Sequence, residues 1–300
     1  MFDFHIHTTK SDGYQTPEEV IRMAAEEKLS AIAITDHNVI LEEYPDLQKK
    51  YQDRIQLVNG VELSSIYQRS DTGEPLEVHI VALAFDSDRL RETVDTTCLD
   101  QRGYIQAMIL KLRECGIAVP DYDTLRDLYP EHEHMGRTQL ADYMVKHGDA
   151  ATEEEAMDEY IGIYGKRRAF VNEMEYSHYH SVEENVKAIL DAGGIPVLAH
   201  LLTYRLPDEE CLRLVKLFKE LVRDAPAGME VYYRKYSDAG QKKLAEIARN
   251  HGLLFSRASD HHGREGHSLM TAEYPGWECS DKTVFDVLCH RNPAETACSI

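Results

Sequence analysis

His5 and His7 stand two positions apart near the start of the chain, and Asp12 follows five positions later. The same residue types recur downstream as Asp36 and His37, Glu62, His79, His200, Glu230, and the run Asp260, His261 and His262. Imidazole nitrogen and carboxylate oxygen without thiolate suit zinc, manganese or iron rather than an ion that selects sulfur. One histidine or carboxylate at the end of a strand is more often a hydrogen-bonded structural residue than a ligand. Recurrence at equivalent places on successive strands argues the other way. More than six such side chains exceed what a single ion needs, so a cluster of ions is implied.

The elements that must carry these residues can be read from the apolar pattern. Seven short segments rich in β-branched or aromatic residues read as strands: Phe2–His7, Ala31–Thr35, Gln56–Leu63, Glu77–Phe85, Ile195–His200, Gly228–Tyr233 and Leu253–Ser259. His5 and His7, at i and i+2, project from the same side of a strand, so both imidazoles can face one ion. Helical patterns lie between most strands. The first begins at Thr16-Pro17-Glu18-Glu19, a threonine cap with proline at the first helical position and glutamate at the third. Others run over Ser181–Ala192, Glu209–Val222 and Ser237–Asn250. Strands alternating with helices predict a parallel sheet, open or closed into a barrel, in which the loops after the strands converge on one face. Residues 99–170 break this rhythm. They read as helical (Tyr104–Glu114, Gln139–Lys146, Glu153–Tyr160), and we expect an inserted helical cap between two parts of a barrel, 1–98 and 171–300.

Composition narrows the classes of partner. The 300 residues allow one α/β barrel or two ordinary domains. No apolar run approaches the roughly 18 residues of a membrane span, and the N-terminal residues lack the pattern of a secretory signal, so a cytoplasmic location is the expectation. Six cysteines without a CxxC pair read as reduced thiols. The 33 basic against 53 acidic residues give a formal charge of −20, which argues against an extended basic track for polynucleotides or anionic membranes.

The ordered set His5-Ile6-His7-Thr8 with Ser11-Asp12-Gly13, Ile34-Thr35-Asp36-His37-Asn38, Gly60-Val61-Glu62, Val78-His79, Leu198-Ala199-His200 and Ser259-Asp260-His261-His262-Gly263 resembles the successive motifs of the PHP (polymerase and histidinol phosphatase) family. Among its branches the chain is most similar to stand-alone metal-dependent phosphoesterases with a helical insertion between the fourth and fifth strands. The resemblance implies a distorted (β/α)7 TIM-like barrel and a trinuclear site of divalent ions, with manganese, iron or zinc expected. It assigns one ion to His5, His7, Glu62 and Asp260, a second to Glu62, His79 and His200, and a third to Asp12, His37 and His262, Glu62 bridging two. Two positions depart from the family pattern. Leu201 stands where proline commonly follows the histidine of strand five. His261 stands where phenylalanine commonly separates the last aspartate and histidine, so either His261 or His262 could be the ligand, the aspartate-x-histidine spacing favouring His262.

Clustered divalent ions lower the pKa of a bound water to about 7 and neutralise charge on transferred phosphoryl oxygens, so a metal-bound water or hydroxide serves as nucleophile. Three carboxylates and three dications leave a local charge of about +3 within an acidic protein, which favours a small phosphorylated substrate over a long nucleic acid. The expected reaction is release of inorganic phosphate from a nucleotide, a sugar phosphate or a cyclic sugar phosphate. A 5′-3′ exonuclease on short oligonucleotides and a non-catalytic, metal-dependent binder of phosphorylated ligands are the alternatives. Arg137 is the first choice for a phosphate fork, followed by Arg205, Arg234 and Lys235, and His267 is expected as an acid or phosphate donor. The alternating pairs His132/His134 and His178/His180 read as solvated surface. Oligomeric state is left open by the sequence.

Overall fold

The apolar segments pair into one sheet that curls until its two edges meet. A computed structural model describes residues 1–130, 132, 135–162, 165–263, 268–274 and 280–291. Among the described residues there are ten strands: β1 Phe2–Asp3, β2 Ala31–Ile34, β3 Gln56–Gln68, β4 Pro75–Leu83, β5 Cys98–Leu99, β6 Ser177–His178, β7 His180–Ser181, β8 Ile195–Leu198, β9 Gly228–Tyr233 and β10 Leu254–Ala258. The main sheet runs β1-β2-β3-β4-β8-β9-β10, with β7 alongside β3, while β5 and β6 form a separate ribbon. Closure comes from the chain after β1. The Phe4 amide donates to the Arg257 carbonyl at 3.1 Å, the Asp260 amide to the His5 carbonyl at 3.0 Å, and the His7 amide to the His261 carbonyl at 2.8 Å. The result is a nearly closed, barrel-like sheet.

Three expectations need correction. The strand expected over Phe2–His7 is regular only at Phe2–Asp3, with one further bridge between Ile6 and His261. Part of the reason is local: the Ile6 amide bonds the Thr35 hydroxyl at 3.1 Å in place of a backbone carbonyl. The sheet is not all parallel, because β4 runs antiparallel to both β3 and β8. The connection between β3 and β4 spans only residues 69–74, and a parallel crossover needs a dozen or more. His79 therefore enters from the middle of β4, opposite Ser64, rather than from a C-terminal strand end. The third correction concerns His132, which is wholly buried rather than solvated; His178 is exposed and His180 partly so, and His134 lies outside the described residues.

Both faces of the sheet are covered, as the continuous apolar strands demand. Phe4, Ala31, Ala33, Val58, Val81, Leu83, Ile195 and Val197 pack into one cluster. The alternate residues Ile32, Ile34 and Leu57 pack instead with Val20, Ile21 and Ala24. Those last three belong to helix Pro17–Glu26, whose start is a capping box: the Glu19 amide donates to the Thr16 hydroxyl and the Glu19 carboxylate accepts from the Thr16 amide at 2.8 Å. The helices Gln101–Glu114, Tyr122–Asp127 and Arg137–Lys146 build a separate apolar cluster around Tyr104, Ile105, Met108, Leu112, Leu140 and Met144. The β5–β6 ribbon, two residues on each side, escaped sequence reading because so short a pairing carries no period. No helix among the described residues is long and apolar enough to cross a membrane.

Candidate metal centre

Glu62, in the middle of β3 and fully buried, is where the distant histidines meet. Its Oε1 lies 2.8 Å from His79 Nδ1 and 2.9 Å from His200 Nε2. Its Oε2 lies 3.0 Å from His37 Nδ1, 3.1 Å from His5 Nε2 and 3.3 Å from His7 Nε2. The i, i+2 geometry of the first motif is observed: His5 and His7 bring their Nε2 atoms to 3.0 Å. Asp260 Oδ1 approaches the same two nitrogens at 3.8 and 3.3 Å. Asp12, carried over by the loop after residue 7, places Oδ1 3.3 Å from His262 Nε2 and 3.9 Å from both His37 Nε2 and His7 Nδ1.

All nine residues assigned by sequence thus come together. Their donor atoms fall into four overlapping sets, each within 4.8 Å: His7, Asp12, His37 and His262; His5, His7 and Asp260; His5, Glu62 and His200; His37, Glu62 and His79. The structure distinguishes the two adjacent histidines. His262 faces Asp12, whereas His261 Nε2 bonds Gln15 Oε1 at 2.7 Å. Backbone strain accompanies the site, since His200 and Asp260 hold left-handed conformations with φ of 24° and 52°.

The electrostatics follow from burying three carboxylates among six imidazoles. Burial pushes the Glu62 carboxyl up, but His5, His79 and His37 more than offset it and hold the group well below the usual carboxylate range. Asp12 and Asp260 are likewise pulled down against burial, chiefly by His262. Burial opposes charge on His7, yet Asp260 and Glu62 push its pKa up to about 10. His37 is pushed down to about 4 by burial, only partly offset by Glu62. His7 Nδ1, Asp12 Oδ1 and Glu62 Oε2 are buried with no hydrogen-bond partner. Each such atom costs about 1–3 kcal/mol unless something satisfies it. Oxygen and imidazole donors orphaned in this way and turned toward one another fit divalent cations.

Several residues around the nine were not assigned a role from the sequence. Glu230 on β9 accepts from the His200 amide at 2.6 Å and lies 2.7 Å from His5 Nδ1. Asp36 accepts from the Thr8 amide at 2.7 Å, the Thr8 hydroxyl at 2.6 Å and the Ser11 hydroxyl at 2.5 Å, which fastens the loop that delivers Asp12. The Tyr233 hydroxyl donates to Asp260 Oδ2 at 2.6 Å, and Glu77 Oε1 lies 3.1 Å from His79 Nε2. Glu230 and Asp36 did carry a signal, being acidic residues on or just after strands, but strand spacing does not separate a ligand from a residue one layer further out.

The basic candidates are placed less uniformly. Arg137 opens helix Arg137–Lys146 with Nη2 3.4 Å from Glu173 Oε2, and Glu77, the neighbour of His79, adds to the field that keeps the guanidinium charged despite burial. Arg234 donates from Nε to the Ser259 carbonyl at 3.3 Å, one residue before Asp260. Arg205, left-handed at φ 51°, and Lys235 are exposed. His267 lies outside the described residues.

Residues 3–194 match the PHP domain family. The chain is 28% identical over 264 residues to the 5′-3′ exoribonuclease Rnm of Escherichia coli, covering 87% of this chain and 85% of that protein. It is 29% identical over 262 residues to the 3′,5′-nucleoside bisphosphate phosphatase of Chromobacterium violaceum, covering 87% and 86%. Among solved structures, an amidohydrolase from Chromobacterium violaceum with bound sulfate and no metal superposes with a TM-score of 0.79 at 25% identity, covering 97% of this chain and 96% of that one.

Proposed function

The chain belongs to the PHP domain family of phosphoester hydrolases, and we propose that it uses three divalent ions to release inorganic phosphate from a small phosphorylated metabolite. The observation that carries this reading is the convergence of nine imidazole and carboxylate side chains, five of the imidazoles around Glu62, with orphaned buried donors at the centre. His5, His7, Asp12, His37, Glu62, His79, His200, Asp260 and His262 would hold the ions. Such ions supply an activated water and neutralise charge on the phosphoryl oxygens. The chain's own part is to hold the donors in register on a rigid barrel and to present cations to the substrate. Arg137, anchored beside Glu173, is the first of these, with Arg234, Arg205 and Lys235 behind it. Residues 99–170 would act as a cap on the barrel formed by 1–98 and 171–300.

A small phosphorylated metabolite, whether a nucleotide, a sugar phosphate or a cyclic sugar phosphate, is the substrate class we favour over a long nucleic acid, because a formal charge of −20 repels a long polyanion while the ions attract phosphate at one place. Similarity to an exoribonuclease over 87% of the chain supports a second reading, removal of 5′ nucleotides from short RNA. Manganese-loaded protein offered nucleoside bisphosphates, mononucleotides, sugar phosphates, a cyclic sugar phosphate and a short 5′-phosphorylated RNA separates the two. Phosphate release fastest from the small molecules is the expected result. Progressive shortening of the RNA at a higher rate establishes the second reading, and binding of ligands with no turnover of any of them refutes both.

A further inference from the structure

We propose that Glu230 is a positioning residue that sets two of the metal-binding histidines at once, one through its ring and one through its backbone; this rests on the metal-dependent reading above. Glu230 points from β9 into the site, is 2% exposed, and has both oxygens engaged. Oε1 lies 2.7 Å from His5 Nδ1, and Oε2 accepts the His200 amide at 2.6 Å. A carboxylate only accepts, so His5 must carry its proton on Nδ1 toward Glu230. When an entering ion displaces the other proton of His5, it is Nε2 that is freed to ligate, 3.1 Å from Glu62 Oε2 and 3.0 Å from His7 Nε2, where the donors converge. A partner on the far nitrogen is how proteins orient a ligating imidazole and choose its tautomer.

The second oxygen works on the backbone. His200 stands two residues past the end of β8 and turns left-handed at φ 24° and ψ 48°, a conformation that a residue with a side chain rarely adopts. The bond from its amide to Glu230 holds that turn, which directs His200 Nε2 to Glu62 Oε1 at 2.9 Å. Glu230 belongs to none of the four donor sets among the described residues, and each of its oxygens already accepts from an N–H, so it acts one layer out from the ions. It ties the segments that follow β1 and β8 to β9 at the point where those segments deliver His5 and His200.

Replacing Glu230 by glutamine keeps the shape and removes one acceptor. If the amide oxygen faces the His200 amide, the NH₂ group faces His5 and forces its proton to Nε2, away from the ligating tautomer. If it is flipped, the NH₂ group opposes the His200 N–H. Manganese dissociation constants should therefore weaken 10- to 100-fold in Glu230→Gln. Glu210→Gln is the matched control, since Glu210 is also buried but bonds Tyr67 and Ser70 and touches none of the nine. It should leave metal affinity within threefold of the parent. A second measurement needs no folded variant of Glu230: in zinc-loaded, ¹⁵N-histidine-labelled parent protein, the His5 resonances, assigned by their loss in His5→Gln, should show the Nδ1-protonated tautomer.

An affinity for Glu230→Gln within threefold of the parent, or an Nε2-protonated His5, overturns the proposal. Should Glu230→Gln fail to fold, the tautomer decides alone. Parent protein that binds manganese tightly, loses it in Glu230→Gln and yet hydrolyses nothing supports the positioning role while refuting the proposed function. Parent protein that binds no divalent ion overturns both.

Discussion

Glu62→Gln is the sharpest perturbation the structure offers. The substitution is nearly isosteric, so its effect is electrical: it removes the single negative charge that five imidazoles approach to between 2.8 and 3.3 Å. Glu62 is fully buried, so solvent does not soften the loss. At an effective dielectric of about 20, two unit charges 3 Å apart interact by roughly 5 kcal/mol. Breaking a buried charge pair costs about 3–5 kcal/mol in practice, equivalent to about 10²- to 10⁴-fold in an equilibrium constant. One effect works in the other direction. Without Glu62, His5 and His79 lose the main influence that keeps them protonated and give up their protons more easily to an entering cation. The lower end is therefore expected, with metal affinity about 10²-fold weaker. Calorimetric titration with manganese, together with elemental analysis of metal per chain after gel filtration, measures it. Affinity and metal content equal to the parent's would show that Glu62 is a structural anion and would refute the electrostatic account of the centre.

Metal uptake should release protons and strengthen as pH rises from 6 to 9, because His7, with its pKa pushed up to about 10, must deprotonate to ligate; titrations in buffers of different ionisation enthalpy that show no proton release contradict this. The same shift has an opposite consequence without metal. The stabilisation His7 gains from Asp260 and Glu62 is full below its ordinary pKa near 6.5 and fades as pH passes about 10, so melting temperatures of chelator-treated protein should fall across that window. Arg137→Ala should raise KM for a phosphorylated substrate at least tenfold at unchanged metal content, and should cost about 3 kcal/mol by leaving Glu173 and Glu77 without their counter-charge. Arg137→Lys should recover most of the stability but little of the KM, because lysine lacks the planar fork; full recovery of KM would mean that only charge matters there. Gly13→Ala would place a methyl 2.7 Å from the His7 carbonyl and the Thr8 amide, so about 1–3 kcal/mol of stability and part of the metal content should be lost, as thermal melting and elemental analysis would show.

The seven main strands and the helical character of residues 99–170 were legible in the sequence because they rest on local pattern, whereas the choice of nine residues among the recurring histidines and carboxylates rested on resemblance to the PHP motifs. The capping box at Thr16 and Glu19 and the i, i+2 pair of His5 and His7 depend only on residues close in the chain. The direction of β4 was legible only in principle, through the short connection 69–74, and a rule of alternating strand and helix concealed it. His132 could not be recognised as buried because what covers it, Tyr14 from the first loop and Tyr129 from the insertion, is remote or irregular in sequence. Ligand and positioning residue could not be separated either. Glu62 on β3 and Glu230 on β9 are both buried carboxylates on strands of the same sheet, and what distinguishes them is which atoms surround their oxygens. In Glu62, Oε2 lacks a hydrogen-bond partner amid histidine nitrogens, whereas in Glu230 a ring nitrogen and a backbone amide take both oxygens. Residue type and spacing therefore determine that this chain carries imidazoles and carboxylates suited to divalent metal on successive strands and the loops after them. Only the closed sheet, by bringing together donors as far apart in sequence as His5 and His262, decides which atom faces which.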